Sequence, residues 1–180
     1  AKYRSVAYDL ENLRSLPEAK PDANSGVFSV DGGLIFERAT TFGGQNMSQT
    51  LEPRVFYLYS EYDEQTGQPD FDSAELTFSY TQLFRDTRFS GHDRLDDANQ
   101  ISVGVTTRLF ADNDGRERLN ASIGQIFYFK DREVRLKAQS PVLDESLSAT
   151  AVEFNWFPSE TWSVRSSMLY DTEDNEFDAL

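Results

Sequence analysis

His92 is the only histidine of this 180-residue chain, and it lies in Ser90-Gly91-His92-Asp93, where a nucleophile, a base and an acid stand almost side by side. A Ser-His-Asp triad is assembled in space from separated positions, and neighbours on one loop do not reach that geometry. A solvated loop histidine is the stronger reading. Asp112-Asn113-Asp114-Gly115 looks like the opening of a calcium loop. An EF-hand, however, needs its glycine at the sixth position and a glutamate at the twelfth, and neither is so placed here. The segment reads as a turn instead. Asp63, Glu64, Asp70 and Asp72 could share divalent cations with anionic lipid headgroups, although acids in a polar loop are more simply solvated. Glu52 and Arg54 are two residues apart and so share one face of a strand. They make either a cross-strand charge ladder or the charged lining of a lumen that passes polar cargo. Cysteine is absent, which removes thiolate nucleophiles, disulfides and thiolate zinc sites. No Gly-rich phosphate loop, His-Glu-x-x-His or Gly-x-Ser-x-Gly motif occurs. The residues point to no enzyme, no cofactor and no metal.

The elements that must position these residues are strands. Ile101, Val103, Val105 and Leu109 alternate with Ser102, Gly104, Thr106 and Arg108. After the turn Ala111–Gly115, Leu119, Ala121, Ile123 and Phe127 alternate with Asn120, Ser122, Gly124 and Tyr128. Successive side chains of a strand point to opposite faces, so this ribbon has one apolar face and one face of small polar groups. Comparable stretches run over Lys2–Leu10, Gly26–Phe42, Met47–Tyr62, Leu147–Phe157 and Trp162–Asp171, which makes about seven strands. Pro53 interrupts the third; without an N–H it marks a bulge or a local gap in pairing. Short turns at Gly43–Asn46, Asp112–Gly115 and Pro158–Glu160 alternate with long polar loops near 11–24, 63–97 and 130–146. The acidic end, Asp171–Leu180, is ambiguous.

Composition narrows the setting. A net charge of −14 argues against binding a phosphate backbone, so no nucleic acid partner is expected. Mean hydropathy is −0.57, and no apolar run approaches the roughly 18 residues of a spanning helix. A transmembrane β-barrel can be this polar, because alternate residues face water and its outer loops are hydrophilic. Alternating short turns and long loops suit such a barrel. So do aromatics at strand ends, with Trp156, Phe157 and Trp162 beside a short turn and Tyr59, Tyr62, Phe127 and Phe129 beside long loops. Seven strands cannot close it, since single-chain bacterial barrels have an even number from 8 upward, and open edges are forbidden in lipid. The expected class is therefore an all-β, antiparallel transmembrane barrel segment, residues 1–180 forming one piece of a larger wall. A soluble β-sandwich interaction module is the alternative from another class, and a porin-like diffusion pore keeps the fold with another role.

An ordered series of short motifs runs from about Val27 to Phe129. It comprises Val30-Asp31-Gly32 with Phe36-Glu37-Arg38, and Gln49-Thr50-Leu51-Glu52-Pro53-Arg54 with Tyr57-Leu58-Tyr59. Leu83-Phe84-Arg85-Asp86, Gly91 with Asp93-Arg94, and Ala98-Asn99-Gln100 follow. Gly104-Val105-Thr106-Thr107-Arg108 and Ser122-Ile123-Gly124-Gln125 with Tyr128-Phe129 complete it. In order and spacing the series resembles the LPS-assembly protein LptD family, also called the organic solvent tolerance proteins. The flanks match mainly in pattern.

The resemblance implies a large barrel of the Gram-negative outer membrane, with the family's 26 strands, that receives lipopolysaccharide from a periplasmic protein bridge and inserts it into the outer leaflet. It also implies the lipoprotein LptE as a plug in the lumen. The family's periplasmic domain, its lateral gate and its disulfide cysteines would lie outside this segment. The loop 63–97 would be extracellular and could fold back over the lumen. On this reading Glu52, Arg54, Ser102, Thr106, Arg108, Asn120, Ser122, Ser163 and Arg165 face the lumen. Ile101, Val103, Val105, Leu119, Ile123, Val164 and Met168 face outer-membrane lipid. Arginine should then be tolerated at Ser102 and not at Val103.

Overall fold

The computed structural model describes residues 1–10, 21–137 and 139–171, and the backbone of 176–179. Strands β1 (Lys2–Ala7), β2 (Asp22–Gly33), β3 (Phe36–Phe42), β4 (Gln45–Ser60) and β5 (Ala98–Ala111) are followed by β6 (Glu117–Tyr128), β7 (Thr150–Trp156), β8 (Val164–Asp171) and β9 (Glu176–Ala179). All pair antiparallel in a single sheet of order β1-β2-β4-β5-β6-β7-β8-β9, with β3 also on β4. Each expected strand is present. The short β9, paired with Met168–Asp171, adds one that the ambiguous acidic end concealed.

β2 and β3 are two halves of one long strand. Gly33 faces Arg54 and Phe36 faces Leu51, so the register runs unbroken across Leu34 and Ile35. The interruption falls opposite Pro53, whose carbonyl still accepts the Leu34 N–H at 3.0 Å but which has no N–H to return. Pro53 thus marks a gap in the ladder rather than a bulge. The one register shift of the β5–β6 hairpin lies between Leu109 and Phe110, beside the turn.

Three short turns gather at one end. Gly43 and Gly44, at φ 59° and 79°, form a two-residue connection with both φ positive, the geometry of a type I′ hairpin turn. Asp112–Gly115 closes with Gly115 at φ 68°. The Asp114 carboxylate there takes the Arg116 N–H at 3.0 Å and pairs with Arg118 at 2.5 Å. The long connections leave the opposite end. Asp22–Asn24, expected in a loop, instead belong to β2, because Ala7–Ser5 supply ladder partners for them. Of the expected loop 11–24, residues 11–20 lie outside the described residues, as do 172–175 and 180 of the acidic end.

The two faces of the sheet differ. The rows Val30–Tyr57–Ile101–Phe127 and Pro53–Val105–Ile123–Val152–Met168 run across the strands on one face. Nothing among the described residues covers them: Val30 is 55% exposed and Ile123 47%. On the other face Val27, Phe56, Leu58, Ala98, Ile126 and Ala151 are buried, where they meet residues of the 61–97 connection. A sandwich would cover the bare face with a second sheet; the described strands form one sheet only.

Candidate functional site

The polar face and the long connection folded onto it form the most organised region. Its seat is a glycine pair. Gly104 and Gly124 stand opposite each other in the β5–β6 ladder, and a 3-10 turn, Tyr80–Phe84, fills the space their missing side chains leave. A Cβ on Gly104 would come within 2.8 Å of the Tyr80 hydroxyl. One on Gly124 would come within 2.6 Å of both Leu83 and the Val103 carbonyl. Leu83 is completely buried between the turn and the sheet, against Ile126 and Ala151. The connection does fold back over the polar face, as the resemblance implies.

Small hydroxyls line the seat. Tyr80 bonds Thr106 at 3.0 Å and Thr106 bonds Ser122 at 2.9 Å. Ser102 is 0% exposed, and its hydroxyl has no partner among the described residues. It lies on the polar face as expected, yet the docked connection leaves it no free space, so the expectation that arginine fits there does not hold.

Glu52 and Arg54 share a face but do not pair with each other. Arg54 grips Asp31 with two bonds of 2.9 and 2.5 Å, and its guanidinium lies 4.2 Å from the Phe84 ring centroid. Glu52 instead meets Arg108 at 3.3 Å, and Arg108 also reaches Glu117 at 3.1 Å. Asn120 faces Arg108 on one side and Asn155 on the other, and Arg165 faces Asn155 across β7–β8. Ser163 is exposed and sits one residue before β8, outside the ladder. Eight of the nine residues predicted for one polar surface therefore share a face of the sheet.

Acids build the connection from within. Asp93, mostly buried, accepts the Phe71 N–H, the Asp72 N–H and the Tyr8 hydroxyl, each at 2.5–2.8 Å. Burial pushes its carboxyl up, but these bonds outweigh burial and hold it below the usual range. Asp96 is raised, because complete burial outweighs its pairing with Arg88 at 2.7 Å. Asp97 accepts the Glu133 and Val134 N–H groups, both at 2.9 Å, which fastens the 129–149 connection to the 61–97 one. Glu64 is held at about 2 by hydrogen bonds from Thr66 and Tyr62, while Asp63 accepts the Asn24 N–H and Asp70 the Ser73 N–H. Asp72 accepts the His92 N–H, while the His92 side chain is 95% exposed. Asp96 and Asp97 were not singled out by sequence, and Asp31, Gly104 and Gly124 entered only as members of the motif series, with no structural role assigned. Only the acid–base alternation around Arg94 and the paired glycines hinted at them.

The family model described as "LPS transport system D" matches residues 1–180. The chain belongs to the LptD family. Its LPS-assembly LptD relatives include one from Pseudomonas putida, 48% identical over 96% of this chain. One from Nitrosococcus oceani is 39% identical over 97%, and one from Xanthomonas oryzae pv. oryzae 37% identical over 98%. The chain spans only 20%, 24% and 23% of those LptD proteins respectively. The match extends to the flanks, which by motif alone resembled the LptD family mainly in pattern.

Proposed function

We propose that this chain is a stretch of barrel wall from a protein that inserts lipopolysaccharide into the outer leaflet of the Gram-negative outer membrane. The observation that carries the reading is the family match over the whole length, joined to a sheet with a bare apolar face. In this reading Ile101, Val103, Val105, Leu119, Ile123, Val164 and Met168 meet lipid. The polar face, with Glu52, Arg54, Ser102, Thr106, Arg108, Asn120, Ser122 and Arg165 and with Ser163 at its margin, lines the lumen. Further strands close the wall to the family's 26, because unpaired edges are not tolerated in lipid. The long connections are extracellular, the short turns periplasmic, and a lipoprotein plug of the LptE kind occupies the lumen beside them. Polar cargo moves along the hydrophilic face by exchanging hydrogen bonds with it, which needs no covalent chemistry from the protein.

The test is depletion of the full-length protein in cells that carry it as their sole copy. Newly made lipopolysaccharide should stop reaching the cell surface and resume when the protein is resupplied. Undiminished surface delivery under depletion would refute the reading.

A further inference from the structure

A cavity of about 340 Å³ lies where the 61–97 and 129–149 connections meet the polar face. This is within the size range of small-molecule sites. Leu58, Ile126 and Leu169 form its apolar floor, and Phe78, Leu143 and Leu147 stand over them. We infer that this cavity binds one neutral sugar ring, an inference that rests on the transport reading above and names the part of the cargo this chain touches.

Three polar side chains of the wall have no protein partner among the described residues. Gln100 is only 7% exposed and lines the cavity, yet its carboxamide has no partner among the described residues. The hydroxyl of the half-buried Tyr128 and the guanidinium of the exposed Arg85 also line it, without a protein partner among the described residues. Polar groups that face a cavity without a protein partner are served by water, and a ligand that displaces it must reproduce those bonds. The ligand must therefore offer both donors and acceptors. The cavity's other cations are already neutralised: Arg88 is bonded to Asp96 at 2.7 Å and Arg132 to Glu145 at 2.5 Å. With Glu75 also in the wall, a phosphate finds little net attraction. An acyl chain would suit the floor but leave Gln100 and Tyr128 unsatisfied. A hydroxylated ring meets both demands, its C–H face on the leucines and its hydroxyls toward the amide, the phenol and the guanidinium.

The experiment uses the full-length protein with its native plug in detergent micelles. The probe is lipid-free core oligosaccharide, tested with its phosphates removed and with them retained, and read by saturation-transfer difference NMR. Saturation should reach ring protons of the dephosphorylated probe. The near-isosteric Gln100→Met and the hydroxyl deletion Tyr128→Phe should each weaken binding by about tenfold, the scale of one lost buried hydrogen bond. Asn155→Ala, on an uncovered part of the same face, should leave it unchanged, and heat-modifiable gel migration confirms that each variant is folded. Absence of transfer, transfer indifferent to Gln100→Met, or transfer only to the phosphorylated probe would each overturn the inference. Lipopolysaccharide delivery by the unaltered protein in cells is scored separately. Failure of the transport reading appears as no delivery, whereas failure of this inference appears as delivery without sugar binding.

Discussion

At the scale of single residues, the absence of a side chain does as much as any side chain present. Gly124 has the Val103 carbonyl and Leu83 so close that even a methyl group must displace something. The carbonyl belongs to the ladder and cannot yield, so Leu83 must. Gly124→Ala is expected to weaken docking of the 3-10 turn by about 1–3 kcal/mol, the usual range for overpacking a filled site. Trypsin added to the folded full-length protein should then cut faster after Arg85, at the end of that turn. Unchanged cleavage would mean that the glycine seat does not hold the turn. Asp93 shows the complementary case, a carboxylate satisfied from three directions and held below its usual pKa. Its contribution is complete above the ordinary carboxylate range and fades as pH falls through its lowered value.

At the scale of elements, the strands were legible in the sequence and the packing of the connections was not. Period-two alternation marks a strand wherever its two faces meet different surroundings, and here one face is apolar from Val30 through Met168. The chain paths of 61–97 and 129–149 have no such period. They are set by individual bonds, such as Asp97 to the backbone of 133 and 134, between residues more than thirty positions apart. The same limit explains Ser102, whose face was legible but whose complete burial under the connection was not. It also explains β9, four residues long and too short to show an alternation. The bond pair at Asp97 is itself testable. Asp97→Ala leaves the buried Val134 amide and the part-buried Glu133 amide without their acceptor, which costs about 1–3 kcal/mol for the buried group and less for the other. Hydrogen exchange at the Glu133 and Val134 amides should accelerate, while exchange in the β5–β6 ladder should stay as it is. Equal protection in the variant would show that the two connections are joined by something other than this carboxylate.

For the whole molecule, the deciding quantity is the contrast between the two faces of the wall. A polar chain with a net charge of −14 has no reason to leave a row of Val, Ile and Met uncovered in water, since burial of each such side chain is worth about 1.5–3 kcal/mol. On the proposed reading lipid covers this row, and neighbouring residues on one strand can test it. Met168 faces Val152 within the bare apolar row, and Ser167, the residue before it, faces Glu153 on the opposite side. Arginine at a mid-membrane position on the lipid face costs about 2–4 kcal/mol, whereas substitutions toward the lumen mainly tune what passes. Met168→Arg should therefore sharply reduce the amount of folded, heat-modifiable full-length protein recovered from the outer membrane. Ser167→Arg, which gains a carboxylate across the ladder, should leave it near the unaltered level. Ser167 is the better partner for this comparison than Ser102, because Ser102 is fully buried and an arginine there would confound lipid exposure with packing. Recovery of both variants at equal levels would mean that the bare face does not meet lipid. The apolar row would then need a protein surface to cover it, and the barrel reading would give way to that of an interaction module.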